Sequence, residues 1–537
     1  MRLLLTQVIA WLFVSLGTLT AQSPNPDQQI EVIRANIKSS QVIPSTPEAA
    51  ELGKYGNTPV NLSTGAVNIN IPLYELKGND ISLPISISFN ASGYKPQDRP
   101  TWVGQGWSLN AAGVITRSVR GNPDDSHYFG HPEPLPAYET ADYMEYLLNV
   151  RKGVIESQPD LYYYNFNNNS GKFGLSTGNI PDVIKAEDNM IKIAASTSGL
   201  EYFTAKDLNG ISYKFDQREM ATLLYDVDYE GSGDQAVVRS FNYPSSWFVS
   251  SMTSANGREE IRFEYYSTSP YEMNLHQRPS TGASATYTTT VNSSSGHASY
   301  SNSKSSTIYA SPTQTMTSTR KFLKKVSLYR DGVQVAYIDF ISGAREDGVF
   351  SEDRMLTGVR VYSTVTGQEQ LIKSYDFKYG YYVNPNQTYD NKRLRLDTLQ
   401  ELPVASGTVV PKPYSFEYYG GNLPDTYTYG LDHWGFYNNA NNTSIVPTII
   451  YNPPHSEALG NTVGQGANRE PKLDGSIFAM LSKINYPTGG YTTFEYELHN
   501  SFNPANNSTR NIGGIRIARW WITQVITRPQ QLKDIGM

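Results

Sequence analysis

From residue 67 onward, apolar and polar side chains alternate with a period of two. Val67, Ile69 and Ile71 alternate with Asn68 and Asn70; Ile81, Leu83, Ile85, Ile87 and Phe89 alternate with Ser82, Ser86 and Ser88. Such alternation predicts strands with one apolar face toward a core and one polar face away from it. The stretch from Gly113 to Arg120 reads as a continuation of the same sheet. Between about 138 and 153 the period changes. Tyr138, Ala141, Met144, Leu147, Leu148 and Arg151 recur at three- and four-residue spacing, which predicts one amphipathic helix. A shorter helix is expected over Ser45 to Gly53, with a capping hydroxyl, Pro47 in the first turn and a terminal glycine.

The alternating segments also resemble one another. Ile261, Phe263 and Tyr265 share a strand face, as do Tyr375, Phe377 and Tyr379, then Tyr414, Phe416 and Tyr418, then Phe494, Tyr496 and Leu498. Ile211, Tyr213 and Phe215 make a looser fifth copy. Turn pairs precede several of them: Asn209-Gly210, Asn256-Gly257 and Gly489-Gly490. The expected unit is strand, glycine turn, strand with alternating aromatics. One hairpin is marginal in water, so successive hairpins must share a core. The fold class that follows is all-β: antiparallel sheets built from successive hairpins, sandwich-like at the start and shell-like afterwards, with one or two short helices.

Composition sharpens this picture. The 537 residues include 39 Tyr, 42 Gly and 31 Pro but no Cys, which excludes disulfides, thiolate metal sites and cysteine nucleophiles. With 44 Lys and Arg against 50 Asp and Glu, the net charge of -6 gives no electrostatic reason to expect nucleic acid. Met1-Arg2, the apolar run to Leu16 and the small residue Ala21 describe a signal peptide over residues 1–21, cleaved near Ala21. A chain secreted or held at the cell surface, with no transmembrane segment after cleavage, is therefore expected. Residues 22–44 read as a flexible leader, 45–130 as an N-terminal β domain and 131–279 as a helix plus hairpin region. Within 280–319, 22 of 40 residues are Ser or Thr. That composition buries little, and the segment is expected to be a mobile insertion or linker. Residues 320–537 read as a hairpin-repeat region, apparently truncated.

An ordered series of short segments carries a family resemblance. Tyr55 to Gly65 is followed by Ile71-Pro72-Leu73-Tyr74, Leu83 to Ile87 and Val103 to Gly113. Asp432-His433-Trp434-Gly435, Gly466 to Glu470, Tyr486 to Tyr491 and Gly513 to Ile517 come later. Together these resemble the amino-terminal region of secreted RHS (YD-repeat) proteins of Bacteroidota, over about residues 45 to 517. The resemblance implies a β shell built of hairpins, with the rest of that shell or its cargo as partner. The chain shows neither the long YD array nor the carboxyl-terminal effector of that family.

The search for chemistry yields little. His127 and His131 lie near Asp124, Asp125 and Glu133, but the prolines around them predict a loop rather than an aligned metal site. Asp226, Asp228 and Glu230 begin like a calcium loop, yet Val237 stands where a bidentate Glu is needed. Asp432-His433 would point to opposite strand faces, so a structural role is expected, with His433 bonded to backbone and Trp434 packed. No catalytic residue, metal or cofactor is assigned. The expected function is a non-enzymatic exported structural scaffold. The alternative is a glycan-binding adhesin that uses exposed rings at Tyr162, Tyr163, Tyr164, Tyr381 and Tyr382, and a glycan hydrolase ranks below both.

Overall fold

A computed structural model of the chain describes residues 61 to 523, apart from residue 62 and internal stretches, the longest being 125–135, 152–158, 228–236 and 452–460. The signal segment, the leader and the helix expected over Ser45 to Gly53 lie outside the described residues, as do His127, His131, Asp228 and Glu230. The described chain is antiparallel β-sheet with two helices. Most of the described chain lies in an inner sheet, a ring and a long meander; ring and meander are one continuous sheet, and two two-stranded sheets stand apart from them.

The inner sheet consists of β1 (Val67–Lys77), β2 (Ser82–Ala91) and β3 (Trp107–Asn110), paired in that order. Its apolar phase is buried, as the alternation requires; Val67, Ile87 and Phe89 are fully enclosed. The polar phase, expected to face solvent, is largely buried too. Asn68, Ser86, Ser88, Ser108 and Asn110 are all enclosed. Burial of polar groups is tolerable only when they are hydrogen-bonded. Here Ser88 Oγ lies 3.0 Å from Ser108 Oγ, and Asn110 Nδ2 donates to Ser86 Oγ at 3.2 Å and to Ser88 Oγ at 3.1 Å; Asn68 Oδ1 is the exception, with no partner among the described residues. A sheet buried on both faces is surrounded by the rest of the protein.

The ring begins where the sequence suggested continuity. β4 (Val114–Ser118) leaves the inner sheet and pairs instead with β5 (Leu161–Phe166) and with the strand Val237–Thr253. Gly113 makes the crossing possible. A Cβ there would stand 2.6 Å from Phe166 Cβ, and the Gly113 carbonyl accepts from Val249 N. The pairings continue from β5 through β6 (Asn169–Leu175) to Val183–Lys185, and on the other side from Val237–Thr253 through Ser212–Val227 and Phe203–Lys206 to Lys192–Ala195. The two end strands, Val183–Lys185 and Lys192–Ala195, lie against each other and close the barrel. Aromatic rings fill it: Tyr162 stacks on Phe173 at 5.1 Å, Phe203 meets Trp247 edge-on at 4.9 Å and Phe166 lies 4.6 Å from Tyr213.

The meander joins the ring through the pairing of Val237–Thr253 with Glu259–Ser267. It then runs through Lys321–Arg330, Val333–Ala344, Arg354–Ser363, Gln370–Val383, Lys392–Glu401, Tyr414–Tyr418, Leu481–Asn485, Tyr491–Asn503 and Ser508–Thr523, each strand beside the last. The meander encloses the inner sheet at many points. Tyr375 Oη donates to Leu73 O, Trp107 Nε1 to Tyr418 Oη, Gln105 N to Leu394 O and Ile517 N to Gly65 O. Glu259 clamps the turn between β1 and β2, accepting from Asn79 N and Asp80 N at 2.9 and 2.8 Å.

The aromatic repeat is real and has a mechanism. In Glu259–Ser267, pairing with the preceding strand ends at Ser251↔Arg262. Three residues further on, Tyr265 Oη donates to Val249 O, two residues before Ser251, at 2.7 Å. The same offsets recur after Gly358↔Asp376 (Tyr379 to Leu356 O, 2.6 Å), Thr398↔Ser415 (Tyr418 to Leu396 O, 2.6 Å) and Lys483↔Thr493 (Tyr496 to Leu481 O, 2.7 Å). Each tyrosine follows a bulge toward the next strand, at Glu264/Tyr265, Lys378/Tyr379, Glu417/Tyr418 and Glu495/Tyr496. The hydroxyl thus satisfies a carbonyl just where two strands part. A buried Phe lies two residues earlier each time: Phe263, Phe377, Phe416 and Phe494.

The unit is therefore Phe-x-Tyr, and the triplet beginning at Phe494 is out of phase by one position, since Phe494 and Tyr496 fill the second and third places. Val333–Ala344 is a further copy, with buried Phe340, a bulge at Ile341/Ser342 and Ser342 where the tyrosine would stand. Ser342 Oγ instead accepts from Arg354 Nη1 at 3.1 Å. Ile211, Tyr213 and Phe215 are not a copy: Tyr213 belongs to the ring and its hydroxyl donates to Asp207 Oδ2.

Two further expectations meet a different outcome. Helix α1 (Ala141–Arg151) forms, but Met144, Leu147 and Leu148 remain exposed rather than packed. The Ser/Thr segment takes regular structure instead of none: Gly282–Ser294 and His297–Tyr309 pair over their whole length without a bulge, as a two-stranded sheet of their own. Its many threonines are β-branched, which favours strand once a partner strand is adjacent.

Candidate functional site

The five tyrosines expected to meet a glycan divide sharply. Tyr162 and Tyr164 are 0% and 1% exposed inside the ring, so they are excluded as contacts for an outside ligand. They share the strand phase of Phe166, which carries them inward. Tyr163 points the other way and is half-buried, packed against Leu161 and Ile184. Tyr381 and Tyr382, in contrast, line a hollow of about 490 Å³ together with Val383, Arg395, Asp397, Phe416, Glu417, Tyr418 and the pair Gly420-Gly421.

The hollow follows from strand geometry. Lys392–Glu401 and Tyr414–Tyr418 pair only at Thr398↔Ser415 and Leu399↔Tyr414 and then diverge, bridged by the Tyr418 hydroxyl. Arg395 and Asp397 stand on one side of the gap, two residues apart and so on one strand face. Glu417 stands on the other. Arg395 Nε donates to Asp397 Oδ1 at 2.6 Å, and that hydrogen bond keeps the guanidinium charged with its pKa raised. Gly380 lets the pair lie close: a Cβ there would come 2.5 Å from Asp397 Oδ2 and 2.7 Å from Arg395 Nη2.

Across the gap, Glu417 accepts from Asn485 Nδ2 at 3.2 Å and pairs with Lys483 Nζ at 3.2 Å, contacts that hold its carboxyl below the usual range. Arg395 also covers the Tyr382 ring, with Cζ 5.3 Å from its centroid. Tyr382 is buried against Tyr418 and Phe478, and burial raises its pKa well above the ordinary phenol value. Among the described residues its hydroxyl has no hydrogen-bond partner. The Tyr381 hydroxyl accepts from Glu346 N at 3.0 Å.

Sequence reasoning marked the two tyrosines here but not Arg395, Asp397, Glu417 or Gly420-Gly421. The alternation in Arg393-Leu394-Arg395-Leu396-Asp397 was the available signal, since it places Arg395 and Asp397 together on the face opposite Leu394 and Leu396.

The Asp432 loop is structural, though not as expected. Asp432 Oδ1 accepts from Trp434 N at 2.8 Å and from Phe436 N at 2.9 Å, while Phe436 is the packed ring. Trp434 is 48% exposed, with its inner edge over Gly513, and exposed His433 stands edge-on to it at 6.0 Å. Among the described residues no group of three His, Asp or Glu is placed to hold a metal ion, and no helix is long and apolar enough to cross a membrane. Comparison with known proteins gives no matching family model and no similar curated sequence.

Proposed function

We propose that the protein is a non-enzymatic, exported structural scaffold, the leading part of an RHS-type β shell at the cell surface or outside the cell. The observation that carries this reading is the Phe-x-Tyr bracket, repeated with the same offsets at Tyr265, Tyr379, Tyr418 and Tyr496. A device that fastens each second strand to the one before it extends a wall by repetition, which is what a shell needs. The inner sheet packs inside that wall and makes this portion a filled end rather than an open tube. The partner is the remainder of the shell or its cargo.

Fractionation of producing cells, with mass spectrometry of the mature amino terminus, tests export. The reading expects a chain beginning near Gln22 in the surface or extracellular fraction. A cytoplasmic chain that retains residues 1–21 would overturn it.

A further inference from the structure

The hollow between Lys392–Glu401 and Tyr414–Tyr418 opens beside the Phe416-x-Tyr418 bracket, where the ladder between the two strands ends. We propose that it is a binding site for a neutral oligosaccharide segment, independent of the scaffold reading. Shape is the first argument. The hollow, of about 490 Å³, falls in the range of small-molecule sites and is a built opening, framed by diverging strands and the Tyr418 bridge. Its walls are the second. Tyr381, Tyr382 and Phe416 supply aromatic surface, suited to the C–H faces of a sugar ring.

Charge is the third argument, and it selects the class of ligand. Arg395 is paired with Asp397, and Glu417 with Lys483. The site therefore carries both signs in balance and has no surplus to draw an anion or a cation. What remains are the unused guanidinium N–H groups of Arg395 beside the unused lone pairs of Asp397 and Glu417. Donors and acceptors side by side match hydroxyl groups, each of which both donates and accepts. Nothing lies within 4 Å of where a Gly420 side chain would begin, so that side of the hollow is kept clear.

The test uses the purified full chain without its signal segment. Isothermal titration is run with tetrasaccharides of N-acetylglucosamine, glucose (β-1,4 and α-1,4) and xylose, and with tetragalacturonate and spermine as charged probes. The proposal expects saturable binding of at least one neutral tetrasaccharide. It also expects that Tyr381→Ala and Asp397→Asn each weaken this binding about tenfold or more, roughly the loss of one ring contact or one well-made hydrogen bond. Urea unfolding of each variant, read beside the titration, separates lost recognition from lost folding. Three results overturn the proposal: no saturable binding of any neutral probe, binding only of a charged probe, or neutral binding that survives both substitutions.

Discussion

Replacing Tyr496 with Phe removes one hydroxyl from the bracket and nothing else. In the native protein that hydroxyl donates to Leu481 O at 2.7 Å, and both residues are buried. After Tyr496→Phe the phenol's own desolvation cost disappears, but the Leu481 carbonyl stays enclosed without its donor. The cost of an unsatisfied buried acceptor is about 1–3 kcal/mol. Strand Leu481–Asn485 pairs with Tyr491–Asn503 only from Lys483 to Asn485, so no ladder bond replaces the lost one. A destabilisation of about 2 kcal/mol is therefore expected, read as a fall in the urea midpoint with the slope unchanged.

The same substitution should cost a similar amount at Tyr379 and more at Tyr418, where it also strands the buried Trp107 Nε1. Pairs of substitutions at separate brackets should add, because they share no partner. Tyr382→Phe is the internal control: its hydroxyl is buried with no partner among the described residues, so removing it should leave stability unchanged or raise it, and never lower it. If Tyr496→Phe and Tyr382→Phe are indistinguishable, the bracket hydrogen bonds do not hold the wall and the reasoning fails.

Other outcomes follow from single positions. Gly489 has φ +90° with nothing within 4 Å of its missing Cβ, so Gly489→Val should cost about 1–3 kcal/mol of pure backbone strain, while Gly490→Val at the next position costs far less; equal effects in thermal melts would misplace the turn. Arg117 and Asp160 are wholly buried with Arg117 Nε 2.7 Å from Asp160 Oδ2, so Arg117→Met should destabilise by about 3–5 kcal/mol by stranding the carboxylate, and a loss below about 1 kcal/mol in urea unfolding would contradict that. For Glu259, burial would raise the pKa, but the Asn79 and Asp80 N–H groups and Arg330 outweigh it, and the folded value lies below the ordinary one. Its stabilisation is then present above the unfolded pKa, about 4.3, and is lost as pH falls through the folded value. Glu259→Gln should flatten the acid side of the stability profile, and an unchanged profile would remove Glu259 as the clamp on the β1–β2 turn.

Much of this architecture is legible in the chain because strands write their faces with a period of two. The bracket strands could be read from Phe263/Tyr265, Phe377/Tyr379 and Phe416/Tyr418, where both inward residues are aromatic. The copy at Phe340 escaped because Ser342 replaces the very residue that signals it. Alternation says which residues share a face but not what covers each face. For that reason Asn68, Ser86 and Ser88 read as solvent-facing although the meander encloses them. The same limit explains the handover at Gly113: Val114 to Ser118 alternates like β1 and β2, and only the close approach of Phe166 shows which sheet it joins. At the hollow, Tyr381 and Tyr382 were visible as an aromatic run. The charged groups beside them were not, because the gap exists only where Lys392–Glu401, the strand paired with that run, diverges from Tyr414–Tyr418.

The central claim is that a bracketed wall encloses the N-terminal three-stranded sheet and holds it as part of one core. Amide hydrogen exchange of the purified chain tests this most directly. The account predicts that β1 and β2 exchange as slowly as Leu481–Asn485 and lose protection together with it when Tyr496→Phe weakens the wall. Rapid exchange across Val67 to Ala91, while the meander stays protected, would show an inner sheet that is not enclosed, and would contradict the account.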